Sequence, residues 1–274
     1  MINVLSAVFA RIVSNSYINV FQKILTKEGS KSSVVNFYTY LGISVLSLLL
    51  IPFVNIRLSY DLVINFVIMG LLGALGNYYI IKALSIGELS SLAPINSYKP
   101  IVALIIAFLY LKEIPSLLSL IGILLIITGT YILNQKGDYN SKAVFYRVLA
   151  LIFSGSEAVF IKKIILLTNI PTSFALWAIS GLIFSFVFVL ISKHELKLPK
   201  IKPLGLLILS VIIMQYSTNY VFSKMNVSYA LALFQLSTLF SVFLGVNIFH
   251  EKVPIRKIIA SIIMILGAVI IILF

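Results

Sequence analysis

Long apolar runs separated by short polar turns dominate the chain. Ten of these runs are each about 20 residues long, the length that an α-helix needs to cross a membrane. They lie at 2–24, 34–53, 62–84, 92–111, 116–133, 144–167, 174–192, 203–222, 229–249 and 254–274. The runs are apolar on every side and show no period of two, so they predict helices rather than strands. We therefore predict an all-α integral membrane protein with ten transmembrane helices.

The composition agrees with a membrane protein and excludes several kinds of chemistry. Of the 274 residues, 61% are apolar and 11% are charged, whereas a soluble domain has about 25% charged residues. There is no cysteine, which excludes disulfides, thiolate metal sites and a cysteine nucleophile. The net charge is +13, but the basic residues flank apolar runs as they do in membrane proteins. We expect membrane lipid as a partner, and no nucleic acid.

The two halves of the chain repeat each other. The fourth run ends in Lys112-Glu113-Ile114-Pro115, and the ninth ends in Glu251-Lys252-Val253-Pro254. The openings also align, with Ser14, Ser16 and Lys23 corresponding to Ser154, Ser156 and Lys163. We therefore predict two five-helix repeats, 1–137 and 138–274. Since five is odd, the second copy enters the membrane from the opposite side, and such inverted repeats are typical of secondary transporters.

The ordered set of motifs resembles the EamA-like family of the drug/metabolite transporter superfamily. The residues that carry the resemblance are Ala83-Leu84, Gly87, Pro94, Pro100, Leu111-Lys112-Glu113, Pro115, Gly122 and Gly129. The resemblance implies that helices one to four and six to nine surround a central cavity, with helices five and ten at the periphery. The second copy has Ala232 and Thr238 in place of Pro94 and Pro100. We therefore expect any prolyl hinge to be confined to the first half.

Polar residues inside the runs indicate where a substrate would bind. An ionisable group near the centre of a membrane helix costs about 2.5 to 3.5 kcal/mol, so Arg11, Lys99 and Glu157 are the strongest candidates. Arg11, Asn15, Asn19 and Gln22 recur at helical spacing and share one face of the first helix. We predict that the substrate site contains Arg11, Asn15, Asn19, Tyr78, Asn96, Lys99, Glu157, Gln215, Tyr216, Asn219 and Gln235.

Each of these candidates also has a purely structural interpretation. Arg11 and Glu157 are equally compatible with a buried ion pair between the first and sixth helices, and Lys99 with a side chain that extends to the lipid headgroups. Gln215, Asn219 and Gln235 are equally compatible with hydrogen bonds between helices. Trp177 fits the aromatic belt at the membrane surface better than a pocket, and Arg147 fits the basic residues that flank the helices. The glycines of the third helix, Gly70, Gly73 and Gly76, favour close helix packing.

The charge of the candidate site indicates the class of function. The candidate site has two basic groups, Arg11 and Lys99, and one acid, Glu157, which favours a substrate that carries a carboxylate. Glu157 is also the one buried acid left to carry a proton. The sequence favours a secondary active transporter, acting as an exporter of an amino acid or related carboxylate by alternating access. Proton or counter-substrate coupling would drive it, with no cofactor and no metal. We place it in a prokaryotic cell (inner) membrane.

Two other classes remain as alternatives. An integral-membrane enzyme would need clustered catalytic side chains, but the two histidines, His194 and His250, lie in different turns, so we expect no enzyme and no catalytic residue. A structural or receptor bundle would have a closed core. The sidedness of the termini also stays open, because the distribution of basic residues places them outside and the family resemblance implies the cytoplasm.

Overall fold

The chain folds into α-helices. A computed structural model describes residues 2–87, 92, 95–133, 140–237, 239–240 and 255–274. Within these residues the elements with defined bounds are ten α-helices and one 3-10 helix, with no strand. The α-helices are α1 (Ile2–Lys27), α2 (Ser32–Ser47), α3 (Tyr60–Ile86), α4 (Lys99–Tyr110), α5 (Leu117–Leu133), α6 (Ser141–Leu167), α7 (Ile170–Ser192), α8 (Ile201–Phe222), α9 (Val227–Phe234) and α10 (Ile255–Leu273). The 3-10 helix, Leu48–Phe53, follows α2 directly.

Six helical stretches among the described residues are long and apolar enough to cross a membrane. They are Asn3–Lys27, Ser32–Phe53, Tyr60–Ile86, Ser141–Leu167, Ile170–Ser192 and Ile201–Phe222. Shorter apolar helices lie at Lys99–Tyr110, Leu117–Ile132 and Ile258–Leu273. Large apolar side chains such as Phe9, Leu109 and Ile191 are more than 60% exposed on the outside of the bundle, where lipid rather than water is the suitable environment. The protein is therefore a multi-pass integral membrane protein.

Local sequence explains where several helices begin. Helix α3 begins after Ser59, whose hydroxyl accepts a hydrogen bond from the Leu62 N–H at 3.2 Å. Asn140 caps α6 in the same way through the Lys142 N–H at 3.0 Å, and Asn169 caps α7 through the Thr172 N–H at 2.8 Å. These side chains satisfy backbone donors that a helix start leaves unpaired, so they mark the boundaries between neighbouring apolar runs.

Glycines bring α3 close to the second half of the chain. A Cβ atom at Gly76 would lie 3.1 Å from the backbone nitrogen of Ser154 on α6. A Cβ at Gly73 would lie 2.8 Å from the Glu157 Cδ, and one at Gly70 would collide with Ser180 on α7. The close packing expected for this glycine stripe is confirmed. Its effect is to bring backbones of the two halves together at the level where Glu157 lies.

The fourth apolar run is not the continuous helix that we predicted. Ser97 and Tyr98 form a turn, and α4 begins only at Lys99. Two bonds around the turn span three residues: the Tyr98 N–H donates to the Ile95 carbonyl at 3.3 Å, and the Ile101 N–H donates to the Tyr98 carbonyl at 3.0 Å. Pro100, the second residue of α4, has no N–H to continue an α-helical ladder back across this break.

The second half has the same break at the equivalent place. Helix α9 ends at Phe234 and is followed by a turn at Gln235 and Leu236. The Leu236 N–H donates to the Leu233 carbonyl at 3.0 Å, and the Leu239 N–H donates to the Leu236 carbonyl at 3.0 Å. Each bond lies 138 residues after its counterpart in the first half. Pro94, Thr238, the end of the ninth run at 241–249 and Glu251 lie outside the described residues.

Helices α5 and α10 pack against each other through small residues. A Cβ atom at Gly122 would lie 2.8 Å from the Gly267 carbonyl oxygen, and one at Gly267 would lie 2.6 Å from the Gly122 carbonyl oxygen. A Cβ at Gly129 would lie 2.8 Å from the Ala260 carbonyl oxygen. Ala260 and Gly267 lie 138 residues after Gly122 and Gly129, so they are the equivalent positions in the second half. The contact of Gly122 with Gly267 is therefore equivalent to the contact of Ala260 with Gly129. The pair is antiparallel and symmetric.

Candidate functional site

A polar cavity of about 150 Å³ lies between the helices. Its lining comes from α1, α2, α3, α6, α7, α8 and α9, from Asn96 and from the first residue of α4, Lys99. None of the described lining residues belongs to α5 or α10. This agrees with the arrangement implied by the sequence resemblance. The polar and aromatic lining residues are Arg11, Asn15, Gln22, Thr39, Tyr40, Asn77, Asn96, Lys99, Arg147, Ser154, Glu157, Trp177, Gln215, Thr218 and Phe222.

Regular helical spacing builds two walls of the cavity. On α1 the lining residues are Arg11, Asn15, Ile18 and Gln22, at steps of four, three and four. On α6 the corresponding set is Arg147, Ser154, Glu157, Ala158 and Ile161. Steps of three, four and seven keep side chains on one face of a helix, so each helix presents a polar face to the cavity and an apolar face elsewhere.

Glu157 is positioned by aromatic side chains and by the absence of a side chain opposite it. The Trp177 Nε1–H donates a hydrogen bond to Glu157 Oε1 at 2.6 Å, and the Tyr40 and Trp177 ring centroids are 5.1 Å apart. Both rings are buried, and Gly73 leaves the space that the carboxylate occupies. A charge-assisted bond from an indole orients the carboxylate within the cavity.

Arg11 has no acidic partner among the residues that the structure describes. Its Nε–H donates to Thr218 Oγ1 at 3.0 Å, and its Cζ lies 4.7 Å from the centre of the Phe234 ring. One terminal nitrogen, Nη1, is buried and has no hydrogen-bond partner within the described residues. The alternative of an Arg11–Glu157 ion pair is therefore not what the structure shows.

Lys99 and Arg147 add two more basic groups to the same cavity. Lys99 lies at the first residue of α4, directly after the break, and is close enough to Glu157, Arg11 and Arg147 to interact with each electrostatically. This position is inside the cavity and not at the lipid headgroups. Arg147 is only 7% exposed, and its Nε is buried without a hydrogen-bond partner in the described part of the chain. The interpretation of Arg147 as a membrane-flanking base is therefore wrong.

The structure brings six of the predicted site residues to the cavity lining. They are Arg11, Asn15, Asn96, Lys99, Glu157 and Gln215. Asn19 lies on α1, but its side chain is outside the described part of the structure. The other four, Tyr78, Tyr216, Asn219 and Gln235, are not among the lining residues.

Those four side chains make other contacts. Tyr78 packs between Tyr79 and Phe188, whereas Tyr216 is 39% exposed and contacts Phe174 edge to face. Asn219 is fully buried and accepts a hydrogen bond from Gln215 Nε2 at 2.9 Å. Gln235 is buried and donates to the Leu231 carbonyl at 3.3 Å. Both bonds join residues four positions apart in the chain, so they are not the hydrogen bonds between helices that the structural alternative proposed.

Sequence reasoning missed Arg147, Trp177 and Tyr40 as cavity residues. Trp177 lies near the start of α7 and Arg147 near the start of α6, which are positions where aromatic and basic residues commonly meet the membrane surface. A usable signal was present for Arg147, because it lies seven residues before Ser154 and fourteen before Ile161 on one helical face. Tyr40 gave no such signal.

A bundle of apolar helices around a polar cavity defines the protein as a polytopic membrane protein. The model of the EamA-like transporter family matches it twice, over residues 2–135 and 141–273. The chain therefore belongs to the EamA-like transporter family. A family of this kind indicates a membrane transporter of small molecules and not an enzyme.

Comparison with solved structures gives the same fold. One of them, described only as a crystal structure of a protein, has 14% sequence identity, a TM-score of 0.72 and coverage of 98% of each chain. At this identity the likeness concerns the fold alone. No curated protein matches the sequence.

Proposed function

We propose that the protein is a secondary active transporter that exports a small polar metabolite, an amino acid or a related carboxylate, by alternating access. The observation that carries this proposal is the cavity itself, where buried basic groups meet one carboxylate in the middle of an apolar bundle. Charged groups inside a membrane protein are costly and generally mark a substrate or ion pathway. The alternative of a closed structural or receptor bundle offers no reason for such a cavity.

Two symmetric features support an arrangement of ten membrane crossings in two inverted halves, 1–137 and 138–274. The helix breaks at Ser97–Tyr98 and Gln235–Leu236 carry equivalent hydrogen bonds 138 residues apart. The reciprocal contacts between α5 and α10 show the same spacing in an antiparallel pair. Broken helices beside a site between inverted halves are the usual construction of secondary transporters.

The size of the cavity limits its ligand. Pockets for drug-sized molecules occupy about 300 to 1,000 Å³, whereas this cavity measures about 150 Å³. A small metabolite therefore suits it better than a large drug. Glu157 supplies one group for a proton, or for the ammonium of an amino acid, so proton or counter-substrate coupling fits the lining. We assign the protein to a prokaryotic cell membrane.

Flux in liposomes tests the proposed function. We expect saturable uptake or release of at least one labelled amino acid or carboxylate by the reconstituted protein. Lys99→Gln should lower this flux about tenfold or more, because a charged hydrogen bond to the substrate is lost. Lys82→Gln is the matched control, since Lys82 lies over the Tyr146 ring at 4.5 Å and does not line the cavity. The absence of saturable flux for every class of metabolite would refute the transporter.

A further inference from the structure

The formal charges that line the cavity do not balance. Arg11, Lys99 and Arg147 supply three positive charges, and Glu157 supplies one negative charge, which leaves an excess of two positive charges among the described lining residues. The other acids that the structure describes lie elsewhere. Glu113 pairs with Lys162, Asp61 with Lys163 at 3.1 Å and Glu28 with Lys200 at 2.9 Å, while Glu195 is exposed.

Two unsatisfied charged donors lie at guanidinium groups that line the cavity. Arg147 Nε and Arg11 Nη1 are both buried, and neither has an acceptor within the described residues. A buried donor without an acceptor is costly, and more so when it is charged. Arginine forks match carboxylate and phosphate oxygens in geometry. Both groups therefore call for an oxyanion that the described residues do not supply.

Aromatic side chains provide a surface for an organic framework between the charges. Tyr40 and Trp177 lie beside Glu157, and both line the cavity. We infer that the ligand of this cavity is an organic dianion, a small molecule whose two negative charges neutralise the excess of two positive charges. The inference rests on the proposed function, and it specifies the substrate class of the same site.

Two ligand sources share this chemistry, namely dicarboxylates and phosphate monoesters. The chain has one tryptophan, Trp177, and because it lines the cavity its fluorescence reports binding without a label. We would titrate the purified protein with succinate, with its monoamide succinamate, and with glycerol 3-phosphate. Succinate and succinamate have nearly the same size but differ by one charge.

We expect a saturable fluorescence change with at least one dianion, and binding of succinamate at least about tenfold weaker than that of succinate if dicarboxylates are the ligands. Tighter binding of glycerol 3-phosphate than of succinate would assign the ligand to the phosphate monoesters. Equal or tighter binding of the monoamide, or no response to any dianion, would overturn the inference.

Variants of Arg147 separate ligand binding from a structural role. Arg147→Gln should weaken dianion binding about 10- to 100-fold and leave the affinity of the monoamide nearly unchanged. Arg147→Lys should restore most of the loss, and Lys82→Gln should have no effect. The thermal stability of ligand-free Arg147→Gln should equal or exceed that of the unmodified protein, because an uncompensated buried charge is removed. If Arg147→Gln fails to fold, Arg147 has a structural role and its assignment to ligand binding is overturned. In that case Lys99→Gln, which removes a different positive charge from the cavity, tests the charge balance independently.

The outcomes for binding and for transport are distinguishable. Dianion binding without flux would refute the transporter and leave the inference intact. Saturable flux of zwitterions or monoanions, without dianion binding, would support the transporter and refute the inference.

Discussion

At the scale of single residues, the position of Glu157 depends on a residue with no side chain. Its carboxylate accepts the Trp177 indole N–H and occupies the space beside Gly73 that a Cβ atom would otherwise fill. Helix α3 thus approaches α6 closely where the only acid among the described lining residues lies. Gly73 therefore affects the position of the Glu157 carboxylate in the cavity as well as the packing of α3 against α6.

Gly73→Ala should damage the site more than the fold around it. The added methyl group must displace the carboxylate, at a cost of about 1 to 3 kcal/mol typical of overpacking, and should disturb the bond to Trp177. We expect a lower melting temperature and an altered tryptophan emission. Gly205→Ala is the control, because nothing lies within 4 Å of a Cβ there and alanine favours a helix. Equal effects of the two substitutions would contradict this account.

Sequence reasoning identified those charged residues of the site that lie in the interior of an apolar run. Arg11, Lys99 and Glu157 lie well inside apolar runs, where the cost of a charge makes a purely structural presence rare. Arg147 lies six residues into α6, so the same reasoning treated it as a flanking base. The depth of a side chain depends on how far its helix extends beyond the membrane, and hydropathy does not report that distance.

At the scale of elements, the two helix breaks have different sequences and the same hydrogen bonds. Pro100 follows the first break by two residues, while the second half has Thr238 at the corresponding position. Bonds spanning three residues nevertheless occur at both breaks. Proline is therefore not required for this geometry. We attribute the breaks to the packing of the surrounding helices, which overrides local preference.

Pro100→Ala tests this attribution. If packing maintains the break, Asn96 and Lys99 keep their places in the cavity, and a cysteine placed at Asn96 should react with a water-soluble maleimide at about the same rate with and without the substitution. The chain has no other cysteine, so labelling is specific. A large loss of labelling in the double variant would show that the proline itself holds the helix open.

The helices were predictable, but the breaks within them were not. Apolar runs bounded by capping residues such as Ser59 and Asn169 correspond to helices because lipid requires internal backbone bonding. The residues around Gln235 and Leu236 are as helix-compatible as their neighbours. Only the contacts of the folded bundle distinguish them.

At the scale of the whole molecule, hydrogen bonds join the halves at one end of the bundle. Glu113, between α4 and α5, pairs with Lys162 on α6 and accepts the Val227 N–H at 3.0 Å. Lys162 also donates to the Met225 carbonyl at 2.9 Å. At the same end Asn55, between α2 and α3, donates its N–H to Thr172 Oγ1 on α7 at 2.8 Å. Bonds between the halves therefore join the segments at this end.

Glu113→Gln should loosen that end. Lys162 has only 12% of its side chain exposed, and loss of the partner of a buried charge costs about 3 to 5 kcal/mol. We expect faster maleimide labelling of a cysteine at Ile161, which lines the cavity, when the reagent is added on that side. Lys200→Gln breaks the exposed Lys200–Glu28 pair and should not change the rate.

A double variant separates opening from misfolding. Glu113→Leu with Lys162→Met replaces both charges by apolar side chains, an exchange that proteins often tolerate without loss of stability. In this double variant, too, a cysteine placed at Ile161 should react faster with the maleimide. Unchanged labelling in both variants would mean that the ion pair does not hold this end closed.

The contact between Gly122 and Gly267 limits which substitutions these two positions can accept. Because each backbone carbonyl lies within 3 Å of where the other residue's first side-chain carbon would be, neither position can be enlarged unless the seam between α5 and α10 widens. The two helices thus share one steric constraint at this contact, and a substitution that enlarges either glycine requires the helix that carries the other to move away.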